Sequence, residues 1–152
     1  MSVAGPAAKE ARINRIVMRC SALVLVHLGV SAVHGAAHAK LHVTLNDFQR
    51  IFVLVVDIAA PILAMILLWT KWRALGAWLL FFSMSGAFLF GVYFHFIFAS
   101  PDNVSKLAAL DGKISFQVTA VLLSILEAAG AGLGVQALRA IRGGEVMELP
   151  GE

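Results

Sequence analysis

Four long apolar stretches constrain this chain more than any other feature of its sequence. They cover residues 16–38, 48–70, 75–99 and 114–141, and each approaches or exceeds the roughly 20 apolar residues that a helix needs to cross about 30 Å of hydrocarbon. Short polar segments separate the stretches, so consecutive helices are expected to run antiparallel. The sequence therefore predicts an all-α, polytopic membrane protein: one antiparallel four-helix transmembrane bundle with short cytoplasmic tails.

The composition supports a membrane protein over a soluble one. Of the residues, 60% are hydrophobic and 14% are charged, whereas soluble domains contain about 45–50% apolar and about 25% charged residues. The net charge of +3 comes from basic residues scattered beside the apolar stretches, which argues against nucleic acid as a partner. The expected partner is the lipid bilayer, and the assemblies to consider are a homo-oligomer and a larger membrane complex.

The basic residues also predict an orientation. Eight of them fall on the side of the two termini and of the loop between the second and third stretches, and four fall on the opposite side. Because cytoplasmic loops carry an excess of Lys and Arg, both termini are expected in the cytoplasm, with the bacterial inner membrane as the location. Trp69, Trp72 and Trp78 lie where an aromatic belt at the cytoplasmic interface is expected.

The first stretch has an alternative interpretation as a cleaved signal peptide. A basic segment, an apolar run from residue 20 to 33 and an Ala37-His38-Ala39 triplet resemble the three regions of such a peptide. Cleavage would leave three spans. His27 lies at the centre of the apolar run and weakens it as a signal core, so the four-span interpretation is favoured.

Ionisable residues within the stretches are the main indication of function. His27, His34, His95, Asp57 and Glu127 all fall inside predicted spans, where a charged group costs at least about 2.5–3.5 kcal/mol at the bilayer centre. Helical spacing places the first-stretch histidines on one face of the first helix. These residues are therefore expected to point into the bundle and to pair with one another or to bind a ligand.

A transition-metal site is the first hypothesis. His34 and His38 are one helical turn apart, which lets two imidazoles bind one ion from the same helix face. With them, the predicted ligands are His34, His38, His95, Asp57 and Glu127, whose nitrogen and oxygen donors suit iron, zinc, copper or nickel. The competing interpretation is that the histidines only bond to water or lipid headgroups.

A haem b site is a variant of this hypothesis, with His34 and His95 as the axial ligands. Gly86 and Gly91 would leave room beside the third helix, and neighbouring aromatic residues would pack the macrocycle: Phe88, Phe90, Tyr93, Phe94 and Phe96. The simpler interpretation is that these aromatic residues face lipid or fill the core.

The second hypothesis is a proton- or ion-coupled transport component with a proton path through His27, Asp57 and Glu127. Asp57 precedes Pro61 by one turn, where a missing N–H frees a backbone carbonyl and favours a kink. Gly130 and Gly134 form a GxxxG pair that can support oligomerisation. A third hypothesis is a non-catalytic accessory subunit of a membrane complex. An enzyme is disfavoured because the histidines are few for a histidine-box oxygenase.

Overall fold

The chain folds into helices throughout the part that the structure, a computed structural model, describes: residues 5–107 and 111–143, with no strand among them. Four long helices follow one another, α1 (Pro6–Lys40), α2 (Asp47–Leu68), α3 (Arg73–Ile97) and α4 (Lys113–Arg142). Each is long and apolar enough to cross a membrane, with a mean hydropathy of 2.0, 2.8, 1.8 and 1.8, respectively, over its 18-residue window. The prediction of an all-α chain with four such helices is confirmed.

The helix bounds differ from the predicted stretches most at the start of α1. This helix begins at Pro6, because Gly5 is extended and the fixed φ angle of proline suits the first helical position. The basic segment before the first apolar stretch is therefore helical. The predicted cytoplasmic tails also include residues 1–4 and 144–152, which lie outside the described residues.

Two of the helices contain a π-helical segment, Val53–Ala59 in α2 and Tyr93–Ile97 in α3. The first carries Asp57, and the second carries His95. Pro61 follows the first segment, and its missing N–H accords with a wider turn there, in which the Ala60 N–H bonds to the Val55 carbonyl. Such segments often occur at functional sites, and here each one positions an ionisable side chain.

Helix α4 packs against both α1 and α3, and α2 packs against α3. Glycines allow the closest approaches. A Cβ at Gly134 would lie 2.9 Å from the backbone nitrogen of Phe81, and one at Gly130 would lie 2.8 Å from the Met84 side chain. The GxxxG pair of α4 is thus filled by α3 of the same chain, which leaves it unavailable for the oligomerisation that the sequence suggested.

Sequential helices run in opposite directions, as contacts near both ends show. At one end, Arg73 of α3 bonds to Glu10 of α1 at 3.1 Å, and Trp69 donates to Ser21 at 2.9 Å. At the other end, the connection after α3 returns to the C-terminal part of α1, where Asp102 lies near His38. This antiparallel arrangement brings the ionisable residues of the four helices together in the interior of the bundle.

Buried and exposed residues are distributed unlike those of a soluble protein. Large apolar side chains cover the outside; Leu25, Leu54, Phe82, Leu89 and Ile125 are each about 60% exposed or more, at 59%, 63%, 62%, 67% and 59%. The buried residues include an apolar cluster around Cys20, Val24, Leu80 and Met84, but also a group of polar ones. The buried polar residues that form the candidate site are His27, His34, Asp57, His95, Asp102, Thr119 and Glu127.

Candidate metal centre

Three histidines meet between α1, α3 and α4. His34 and His38 extend from successive turns of α1, and His95 comes from the π-helical segment of α3. One ring nitrogen from each lies within 4.8 Å of the other two. Phe116 of α4, which is fully buried, packs against all three rings at centroid distances of 4.5, 4.8 and 5.4 Å. We call His34, His38 and His95 the histidine cluster.

Backbone carbonyls determine which nitrogen carries the proton in two of these rings. Nδ1 of His38 lies 3.3 Å from the carbonyl oxygen of Val43, and Nδ1 of His95 lies 3.1 Å from the carbonyl oxygen of Asp102. A carbonyl oxygen only accepts hydrogen bonds, so Nδ1 must be the donor in both rings. In the neutral imidazoles, Nε2 then has a free lone pair.

The third ring, that of His34, has the same tautomer for a different reason. Its Nδ1 lies 2.8 Å from Oγ1 of Thr119, and this hydroxyl donates its own hydrogen to the Ser115 carbonyl at 2.6 Å. Thr119 therefore accepts from His34. Nε2 of His34 is buried and has no hydrogen-bond partner in the described part of the chain. In all three rings, Nδ1 is therefore bonded to an oxygen. The same arrangement orients metal-binding histidines in proteins.

Asp102 is a site residue that the sequence reasoning missed. The sequence Pro101-Asp102-Asn103 predicts a turn that ends the third helix, with Asp102 or Ser105 as the cap of a short helix before the fourth. Residues 100–107 contain no helix, however, and Asp102 is only 4% exposed. Its Oδ1 lies 3.4 Å from Nε2 of His38 and 3.8 Å from Nδ1 of His95, without a hydrogen bond to either. The sequence feature that could have identified Asp102 is an acidic residue a few positions after His95, near the predicted outer surface.

Hydrogen bonds fold the connection after α3 back over the histidine cluster. The Val104 N–H donates to the His95 carbonyl at 2.9 Å, and the Asn103 side chain donates to the Phe98 carbonyl at 3.0 Å. From α4, Gln117 donates to the Val104 carbonyl at 2.9 Å. These bonds hold Asp102 in the interior, where its backbone carbonyl accepts a hydrogen bond from His95 and its carboxylate faces His38.

A second group of ionisable residues lies deeper along α1. Nε2 of His27 is 3.2 Å from Oδ1 of Asp57 and 3.7 Å from Oε1 of Glu127, and all three residues are buried. Ser31 donates to the other carboxylate oxygen of Asp57 at 3.5 Å. Neither His27 nitrogen, however, has a hydrogen-bond partner among the described residues, and Oε2 of Glu127 has none either. We call His27, Asp57 and Glu127 the carboxylate cluster.

The five ligands predicted for a single metal are thus divided between two groups. The histidine cluster contains His34, His38 and His95, and the carboxylate cluster contains Asp57 and Glu127 together with His27. Each group has the geometry to hold an ion. One cavity of about 550 Å³ joins them, with Asp102 at one end and Asp57 and Glu127 at the other. Gly91 lines this cavity between the two clusters, and a Cβ there would make ordinary van der Waals contacts with Glu127 Oε2 at 3.6 Å and with His95 at 3.9 Å.

The structure gives little room for a haem between the two histidines proposed as its axial ligands. The rings of His34 and His95 are in edge contact, with centroids 4.9 Å apart, and His38 lies 4.8 Å from His34. A macrocycle would have to separate the two rings and displace the third. The aromatic side chains expected to pack it contact one another instead, as Phe90 does with Phe94 at 4.6 Å.

Comparison with known proteins adds no assignment, because no family, curated protein or solved structure matches the chain.

Proposed function

We propose that this protein is an integral membrane protein that binds a transition-metal ion at the histidine cluster, for redox chemistry or for handling of the metal. The single observation that carries the proposal is the arrangement of three imidazoles. In each of them Nδ1 is bonded to an oxygen, and the lone pair of Nε2 remains available for a metal ion. Neutral imidazole nitrogens suit zinc, copper, iron and nickel.

The membrane location is supported by the inside-out distribution of residues. Apolar side chains cover the outer surface, and the buried residues include two carboxylates and three histidines in the four long helices. In lipid this arrangement is favourable, because the apolar surface faces hydrocarbon and the ionisable residues face the bundle interior. We place the protein in a bacterial inner membrane as an antiparallel transmembrane bundle with cytoplasmic termini, from the excess of basic residues at that end.

The position of Asp102 supports an ion at the histidine cluster. A metal with ligand bonds of about 2.0–2.1 Å holds neighbouring ligand atoms of a tetrahedron about 3.3 Å apart, and Nε2 of His38 lies 3.4 Å from Oδ1 of Asp102. Both atoms accept hydrogen bonds when the imidazole is neutral and the acid ionised. A cation between them turns this repulsion into attraction.

The competing explanation is that His38 is protonated and forms an ion pair with Asp102. Metal analysis of the purified protein separates the two explanations. Protein expressed in medium supplemented with zinc, copper, iron and haem, and purified in detergent, is expected to contain one zinc, copper or iron ion per chain. Substitution His95→Ala should remove the ion, whereas His42→Ala, at an exposed histidine outside the cluster, should retain it. Metal-free wild-type protein would contradict the proposal, and a Soret band would favour the haem b variant.

Proton- or ion-coupled transport is the second candidate function. The observation that favours it is the cavity, which extends from the histidine cluster to Asp57 and Glu127 and so connects polar groups from all four helices. Flux measurements in liposomes test it: the wild-type protein should conduct protons or metal ions, and the double variant Asp57→Asn with Glu127→Gln should not. Flux that persists in the double variant would exclude this path.

A further inference from the structure

The carboxylate cluster has features that simple pairing between its members does not explain. His27 is fully buried, and both of its ring nitrogens lack a hydrogen bond to any described residue, although Nε2 faces two carboxylates at 3.2 and 3.7 Å. An imidazolium paired with these acids would be expected to align an N–H with one oxygen. Buried polar atoms without partners are rare in folded proteins, and a bound ion is one of the explanations for them.

Charge points to the class of ligand. Asp57 and Glu127 both lie against His27 in the interior of the bundle, where two ionised carboxylates repel each other strongly. A divalent cation neutralises both of them at once and leaves His27 as a neutral nitrogen ligand. The donor set of one imidazole and two carboxylates is richer in oxygen than the histidine cluster, and oxygen donors suit Mn²⁺ better than copper or zinc.

We infer that His27, Asp57 and Glu127 form a second, oxygen-rich site for a divalent cation of the Mn²⁺ class, separate from the histidine cluster. One nitrogen and two carboxylate oxygens, one from each residue, lie within 4.8 Å of one another. His27 and His34 are seven residues apart on one face of α1, which places their Cα atoms about 10 Å apart along the helix, and the two clusters share no ligand residue. The inference does not depend on an ion at the histidine cluster.

Binding of Mn²⁺ to the full chain in detergent, followed by electron paramagnetic resonance, tests the inference. The wild-type protein is expected to bind one Mn²⁺ that persists in His95→Ala and is lost in the double variant Asp57→Asn with Glu127→Gln. The matched control is Glu10→Gln with Asp47→Asn, which makes the same chemical changes at acids whose side chains are 51% and 93% exposed. This control should bind Mn²⁺ as the wild-type protein does.

The outcomes separate this site from the first one. Loss of Mn²⁺ in His95→Ala, with retention in the carboxylate double variant, would mean that the ion occupies the histidine cluster, and it would overturn the inference. Absence of Mn²⁺ binding by the wild-type protein would also overturn it, in favour of a network of shared protons. If the double variant does not fold, His27→Gln provides a second test: the nitrogen hyperfine coupling to bound Mn²⁺ should disappear. A coupling that persists in His27→Gln would contradict the assignment.

Discussion

Nε2 of His38 faces Oδ1 of Asp102 at 3.4 Å without a hydrogen bond between the two atoms, and the carboxylate oxygen is buried. The Nδ1 atom of His38 already donates to the Val43 carbonyl. The carboxylate therefore lies on the side of the ring on which a metal ion would bind. This relationship makes Asp102 either a ligand or the nearest negative charge to the proposed ion, and it leads to the first prediction.

Replacing Asp102 with Asn should weaken zinc binding by about 10- to 100-fold, the effect usually seen when a group that supports metal ligands is lost. The substitution keeps the shape of the side chain and removes its charge. Competition with a chromophoric chelator measures the dissociation constant. Asp111→Asn is the matched control because Asp111 is exposed, and it should leave the constant unchanged. Equal affinities of wild type and Asp102→Asn would show that the carboxylate does not face the ion.

Thr119→Val should also weaken metal binding, by about 10-fold or more, because it removes the acceptor that holds Nδ1 of His34 protonated. Thr119→Ser keeps a hydroxyl at this position and should restore most of the affinity. The same chelator competition measures both variants. If Val and Ser gave equal affinities, the hydroxyl would have no role in orienting His34, and its bonds to the backbone of α4 would be its whole function.

The helices, the convergence of His34 with His95 and the grouping of His27 with Asp57 and Glu127 were accessible from the sequence. The separation of these two carboxylates from the histidine cluster was not. Apolar stretches and the positions of histidines within them give depth along a helix. They do not give rotation about its axis. Asp57 and His95 each lie in a π-helical segment, and one extra residue in a turn rotates the following side chains by up to about 100°. Periodic reasoning therefore left Asp57 as a candidate partner both of His27, in the proton path, and of the other histidines, in the metal site.

Asp102 was missed for a different physical reason. A Pro-Asp-Asn sequence after an apolar stretch indicates a turn, and turns usually lie at the surface. Here the turn is folded inward by bonds from Asn103 to Phe98 and from Val104 to His95. A further bond, from Gln117 of α4 to the Val104 carbonyl, depends on the tertiary arrangement of α3 and α4, which no local pattern in the sequence specifies.

Phe116→Ala should destabilise the bundle and loosen the histidine cluster. Phe116 is fully buried and contacts the rings of His34, His38 and His95, and truncation of such a residue in soluble proteins costs about 3–5 kcal/mol of unfolding free energy. Denaturation in detergent, followed by circular dichroism, measures the loss. Phe48→Ala is the control, since Phe48 is 65% exposed and should contribute little. A loss in Phe48→Ala as large as in Phe116→Ala would contradict this account of the core.

Gly134→Ala should destabilise the protein, whereas Gly132→Ala should not. A Cβ at Gly134 would lie 2.9 Å from the Phe81 nitrogen and 3.0 Å from its Cα, and these backbone atoms cannot move aside without shifting α3. Overpacking of this kind costs about 1–3 kcal/mol. A Cβ at Gly132 meets nothing within 4 Å, so alanine there only adds helix propensity. Thermal unfolding in detergent compares the two variants.

The same pair of variants tests where the GxxxG surface is used. If Gly134 packs against α3 within one chain, Gly134→Ala lowers the unfolding temperature of the chain itself and does so independently of protein concentration. A variant that unfolds like the wild type but dissociates from an oligomer would place the glycine at an interface between copies. Because Phe81 already occupies the space next to Gly134, we expect an unfolding temperature that is lowered to the same extent at every protein concentration. Any self-association must then use another face of the bundle.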